Sequence, residues 1–262
     1  MFKRLTFIAL GLWTLAAISL VPLQANMPGT YGVLVAISQK PNIGTPVSIG
    51  SSISTPVIKS SWTLTTTATV PASALIVVCT QHAFGSAQTI TSITDGGFNT
   101  YTNAVTNAFD ASTQLISACY YKENANQLAA GSIITVTLSA NTLAQPSILN
   151  AAYVTGVIGS GSLDKTNSGL TSNGTAYASG TTGVLAQANE IAIGFVGMYN
   201  GNATITEGAG FTNINTTAQG SGSFYQSRMS RQIVAATTAL NYQPSASLNT
   251  FGKTLIATFK GY

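Results

Sequence analysis

The sequence predicts an all-β protein: a two-sheet antiparallel sandwich of the jelly-roll type, preceded by a signal peptide and a detachable N-terminal strand. Three observations carry this. Apolar residues recur with period two almost everywhere, as where Trp62, Leu64, Ala68 and Val70 are set among Thr63, Thr65, Thr67 and Thr69, the period of a pleated strand with one face on a core. Turn clusters separate these runs, among them Asp95-Gly96-Gly97, 124–131, 159–161, Asn173-Gly174 and Asn200-Gly201, and they supply the backbone freedom that hairpins need. Only 6% of the residues are charged, against about a quarter in ordinary globular proteins. Instead, 37 Thr, 27 Ser and 18 Asn serve the solvent faces, and Thr suits a half-exposed pleated surface where Lys and Glu do not. No stretch carries a long apolar stripe at helical spacing.

From the N-terminus, Lys3 and Arg4 precede an apolar stretch, 5–21, and then Pro22-Leu23-Gln24-Ala25. A positive start, a hydrophobic middle and a small residue at the cut make a secretory signal, 1–25, cleaved after Ala25. The alternative is an uncleaved anchor, for which about 17 apolar residues is the short limit. Residues 26–56 read as an N-terminal strand plus linker. Tyr31, Val33, Val35 and Ile37 alternate with Gly32, Leu34, Ala36 and Ser38, and the segment 40–56 holds Pro41, Gly44, Pro46, Gly50 and Pro56. Such a Pro/Gly/Ser-rich linker uncouples the strand from the rest of the chain. Residues 57–262 form the sandwich. Within it Ile134, Val136 and Leu138 alternate with threonines and a serine, 74–79 and 191–198 are apolar on both faces as central strands are, and Leu255, Ala257 and Phe259 close the domain.

The formal charge of +4 falls to +2 once Lys3 and Arg4 are removed, and no Lys/Arg cluster concentrates it. A field this weak does not hold a phosphate backbone, so nucleic acid is not an expected partner. Well-patterned apolar residues, 45% of the chain, exclude disorder. No later segment reaches spanning length, so no membrane association is expected after signal cleavage.

Cys79 and Cys119 both lie in apolar strand-like runs. In an oxidising compartment they form one disulfide, whose closed loop adds about 3–4 kcal/mol, or else they are two buried thiols acting as small hydrophobes. Their spacing does not suit zinc, and no metal or other cofactor is expected.

Groups able to carry chemistry are few. His82 is the only histidine. Cys79 is three residues away and so points to the opposite strand face, and no Gly-x-Ser-x-Gly elbow is present; His82 reads as a polar residue at a strand end. A glycosidase needs two carboxyls about 5–10 Å apart, drawn here from Asp95, Asp110, Glu123, Asp164, Glu190 and Glu207. Each of these also has a local role in a turn or at a strand end. Asp95-Gly96-Gly97 brings one carboxylate where calcium wants about six to eight oxygens. Tyr120, Tyr121, Tyr199 and Tyr225 are candidates for stacking on sugars, or pack inward as strand tyrosines do. Arg228 and Arg231, three apart on a strand, face opposite ways.

Ser92-Ile93-Thr94-Asp95 leads to Asn99-Thr100-Tyr101; then come Ala118-Cys119-Tyr120-Tyr121-Lys122-Glu123-Asn124, the alternating run 131–138, Asn189-Glu190-Ile191-Ala192-Ile193-Gly194, Gly208-Ala209-Gly210-Phe211, and the closing run 255–260. In these the chain resembles a loosely defined group of secreted β-sandwich domains of bacterial surface and phage-associated proteins, over most of 57–262. The resemblance implies a structural or adhesive module with no catalytic residues to carry over.

The expected function is an exported, non-catalytic structural protein of the extracellular surface: a filament subunit that donates its 30–38 strand to the next copy, with Tyr31, Val33, Val35 and Ile37 each filling a pocket. The same strand pairing inside its own sandwich is the simpler alternative. A carbohydrate-binding adhesion module and a secreted glycoside-active enzyme are the competing classes. The expected partners are copies of the chain itself or a cell-surface glycan.

Overall fold

The computed structural model describes residues 42–54, 56–199, 202–218 and 225–262, which lie in one compact unit, Gln39–Tyr262. The signal segment and Tyr31, Val33, Val35 and Ile37 lie outside the described residues. The first eight strands are wound as one rolled antiparallel hairpin. β1 (Val47–Ile53) pairs with β8 (Ile148–Val154), β2 (Ser61–Thr65) with β7 (Ile133–Leu138), and β3 (Leu75–Ala83) with β6 (Leu115–Lys122). First with last and second with second-last is the nesting of a jelly roll.

The innermost pair departs from that scheme. β4 (Ile90–Asp95) pairs with β7, and β5 (Thr102–Asp110) pairs with β6, so the two lie in different sheets: β1-β8-β3-β6-β5 and β2-β7-β4. The segment between them explains the switch. The Asp95 carboxylate accepts from the backbone amides of Gly97 (2.9 Å) and Asn99 (3.1 Å), from Asn99 Nδ2, and from the Tyr101 hydroxyl (2.7 Å). Asn99 Oδ1 in turn accepts from the Asn126 amide at 2.7 Å, and Asn126 Nδ2 donates to the Gly97 carbonyl at 2.9 Å. Pinned at both ends, the loop carries the chain across the layers instead of closing a β4–β5 hairpin.

The remaining strands make a third sheet. They are β9 (Leu163–Ala176), β10 (Glu190–Met198), β11 (Ile205–Thr206), β12 (Thr212–Ala218), β13 (Gln226–Val234) and β14 (Ser245–Lys260). The order is β11-β14-β10-β13-β12, with β9 also on β14. The all-β sandwich expected from the sequence is thus present, its antiparallel strands forming three sheets among the described residues. No helix of the described residues is long and apolar enough to cross a membrane.

Layering explains the strands that are apolar on both faces. All nine residues of β3 are buried. Ile76 and Val78 meet Trp62, Leu64, Ile134 and Val136 of the small sheet, while Leu75, Val77 and Cys79 meet Ile193, Phe195, Leu255 and Phe259 of the third sheet. Each such side chain contributes about 1.5–3 kcal/mol by leaving water. β10 is likewise buried throughout; its outer face, Ala192, Val196 and Met198, is covered by Tyr177, Leu185, Phe211, Leu240 and Tyr242 from the connections. Cys79 and Cys119 stand opposite each other in the β3–β6 ladder, 4.0 Å apart at Cα, and are joined as a disulfide.

The segment expected to be linker, 40–56, is in part a strand. β1 begins at Val47, and Ile49 within it is fully buried against the core beneath the small sheet. Pro46 lies just outside the strand, and a bulge at Gly50 (φ +137°) bends it, the places where an edge strand tolerates these residues. The sandwich therefore starts ahead of Val57.

Candidate functional site

His82 is the residue on which any serine or cysteine chemistry would depend, and its sequence context suggests a strand end. The structure puts it inside, fully buried, between Thr80 and Ser147. Thr80 Oγ1 donates its proton to the Ile148 carbonyl at 2.7 Å, so it accepts from His82 Nε2–H at 2.6 Å. That assigns the tautomer: Nδ1 carries the lone pair and accepts from Ser147 Oγ at 2.9 Å. A serine hydroxyl on a neutral imidazole is the opening geometry of a Ser–His pair. Burial, however, pulls the imidazole down to about 3, so it does not hold a proton taken from serine near neutral pH. Ser147 and Trp62 also line a cleft of about 220 Å³ between β1 and β2, with Lys59 5.7 Å from the Trp62 ring. His82 packs behind that wall, its ring 6.5 Å from Trp62 and 6.3 Å from Phe84.

The six carboxylates divide into five braces and one buried group. Asp95 pins the β4–β5 connection. Asp110 accepts from Ser112 and Thr113, whose hydrogen bonds hold its carboxyl below the usual range. Glu123 accepts from the Gly161 and Ser162 amides and the Ser162 hydroxyl; burial pushes this carboxyl up, but those donors outweigh it and the net shift is downward. Glu207 gathers Arg228 (3.3 Å), Ser230 (2.7 Å) and Tyr242 (3.2 Å), and the Tyr242 hydroxyl is raised by burial and by that carboxylate. Asp164 accepts from the Ala186 amide at 2.7 Å and from Lys165 at 3.2 Å.

Glu190, the sixth, is fully buried, with Asp164 and the Thr258 hydroxyl beside it. Among the described residues neither of its oxygens makes a hydrogen bond of full geometry. Burial first, and the Asp164 charge after it, push its carboxyl up to about 6. Two acids meet here, as a glycosidase would require, but neither lines the cleft.

The candidate sugar-stacking tyrosines do not share a surface. Tyr120 packs toward the small sheet and donates to the Ile90 carbonyl at 3.2 Å, while its neighbour Tyr121 packs on Phe259 at 5.3 Å on the opposite face. Tyr199 and Tyr225 meet edge to face at 5.1 Å, and Tyr225 is only 2% exposed. No group of three potential metal ligands occurs among the described residues.

Two further places went unseen in the sequence. One is the outer edge of β4. β1 lies against β12 and β2, and β5 against β9; β4 ends its sheet with no strand paired beyond it among the described residues, while its end carbonyls are taken, Asp95 by the Phe98 amide and Ile90 by the Tyr120 hydroxyl, each at 3.2 Å. The other is Lys253 on β14, a fully buried amine whose Nζ donates to Asn107 Oδ1 at 2.8 Å and to the Ala108 carbonyl, both on β5. Nothing in the local sequence marks it, because its partners lie 146 and 145 positions away.

Compared with known proteins, the chain matches no family model, no curated protein and no solved structure at a significant level.

Proposed function

We propose that the chain is an exported structural subunit of an extracellular surface that polymerises by strand addition, residues 30–38 of one copy docking along β4 of the next. The observation that carries this reading is the broken β4–β5 pairing, which leaves a sheet edge with Ile90 and Ile93 turned to the core and no strand beyond it among the described residues. An unpaired edge is a template for another chain, and a head-to-tail contact of this kind extends instead of closing. Tyr31, Val33, Val35 and Ile37 supply the alternation that an added strand needs. The scarcity of charge favours permanent packing, since little repulsion opposes association. The engagement of five carboxylates as braces, and of His82 as a neutral hydrogen-bonding group, supports a scaffold over a catalyst. The scatter of Tyr120, Tyr121, Tyr199 and Tyr225 over separate packing sites lends the glycan-binding reading no comparable support.

The test is deletion of 27–39 from the secreted protein, followed by negative-stain microscopy and circular dichroism. Filaments from the full chain and folded single particles from the truncated one are expected. Filaments persisting after the deletion rule strand donation out.

A further inference from the structure

We infer that Lys253 and Asn107 are placed to form an intramolecular amide bond that joins the third sheet covalently to the five-stranded one. An amine withdrawn from water is costly unless something takes its charge or its lone pair. Lys253 is buried in the β14 ladder, opposite Gly197 of β10 and Leu170 of β9, with Nζ 2.8 Å from Asn107 Oδ1. Asn107 is fixed as well, since its Nδ2 donates to the Gly169 carbonyl of β9 at 2.8 Å. The carboxamide is thus held from both ends, with a lysine amine hydrogen-bonded to the oxygen of the carbon it would attack. Fixing two reactants at such range replaces a bimolecular encounter and so removes the entropic part of the barrier to amide exchange.

The electrostatics point the same way. Burial pulls the Lys253 amine down to about 8, against a weaker upward pull from Asp110. Roughly one molecule in ten therefore carries the neutral, nucleophilic amine at pH 7. In the reaction the Nζ lone pair adds to Asn107 Cγ, a new N–C bond forms, and the Cγ–Nδ2 bond breaks. The departing nitrogen takes one proton from the attacking amine and leaves as ammonia. Asp110 is the carboxylate whose charge acts on this amine. No oxidant, metal or co-reactant enters.

The bond does not depend on assembly between copies, and the full secreted chain tests it directly. After denaturation, reduction and trypsin digestion, the expected product is one branched peptide joining 60–122 to 232–260, with cleavage after Lys253 lost. Its mass falls about 17 Da, one ammonia, below the sum of its parts. Asn107→Ala is expected to restore cleavage after Lys253 and to yield both linear peptides; the wild-type digest decides the matter even where this variant folds poorly. Linear peptides of unmodified mass from the folded wild-type protein overturn the proposal. So does a branch whose fragment ions end on Asp110, with about 18 Da lost as water.

Discussion

His82 and Glu190 are two buried ionisable groups whose linkage to folding runs in opposite directions. The native imidazole is depressed to about 3, so folding favours its neutral form. That stabilisation is complete above the ordinary histidine value and is lost as pH falls from about 6.5 toward 3, amounting to about 2 kcal/mol at pH 5. Glu190 is raised to about 6, so folding favours its protonated form. Its contribution is complete below the ordinary carboxyl value and is lost as pH rises through 6, on the order of 1 kcal/mol after allowance for screening. The two oppose each other in the wild-type protein, the histidine contribution being the larger, and single substitutions separate them. Glu190→Gln is expected to gain stability relative to wild type at pH 7.5 and little at pH 5. His82→Gln, which loses hydrogen bonds at every pH, is expected to flatten the acid limb between 6.5 and 5. Urea unfolding at both pH values checks each sign; a pH-independent Glu190→Gln difference contradicts the buried-acid assignment.

At the scale of elements, the Asp95 loop decides which sheet receives β5. Asp95→Ala leaves the largely buried Tyr101 hydroxyl and the Gly97 and Asn99 amides without this acceptor, and Asn99 Nδ2 with only the Asn126 carbonyl at 3.4 Å, a loss of about 2–3 kcal/mol by the cost of orphaned donors. Denaturant titration measures it, and a change under half that size shows the loop to be held by other contacts. Strands whose side chains alone define them were legible in the sequence. Trp62 and Leu64, or Ile134, Val136 and Leu138, show their core face by alternation, and 74–79 and 191–198 announce strands covered on both sides. β1 was not legible, because one buried side chain, Ile49, carries its attachment amid Pro, Gly and Ser. β9 was not legible either: Leu163–Ala176 has no apolar alternation and is a strand through its ladder with β14. The candidate sites fared worse for the same reason. The Ser147–His82 contact and the Lys253–Asn107 contact are made by strands distant in sequence, and burial of a polar group is a property of the partner that covers it.

For the molecule as a whole, the five-stranded sheet is the floor of one core and the roof of another. Removing either neighbouring sheet exposes one face of β3 and β8, so neither sandwich has a core of its own. One cooperative transition is therefore expected on heating, with calorimetric and van't Hoff enthalpies in agreement; two resolved peaks indicate that the small sheet or the third sheet melts independently. The Cys79–Cys119 disulfide lies in this shared sheet, where it restrains both halves of the structure at once.

The long last strand also sets a schedule. β14 is the ladder partner of β9, β10 and β11, and none of the three can complete its hydrogen bonds before residues 245–260 have been made. The earlier rolled hairpin, in turn, keeps one apolar face uncovered until that sheet closes over it. A nascent chain thus cannot close this sheet until residues 245–260 have emerged to pair with β9, β10 and β11.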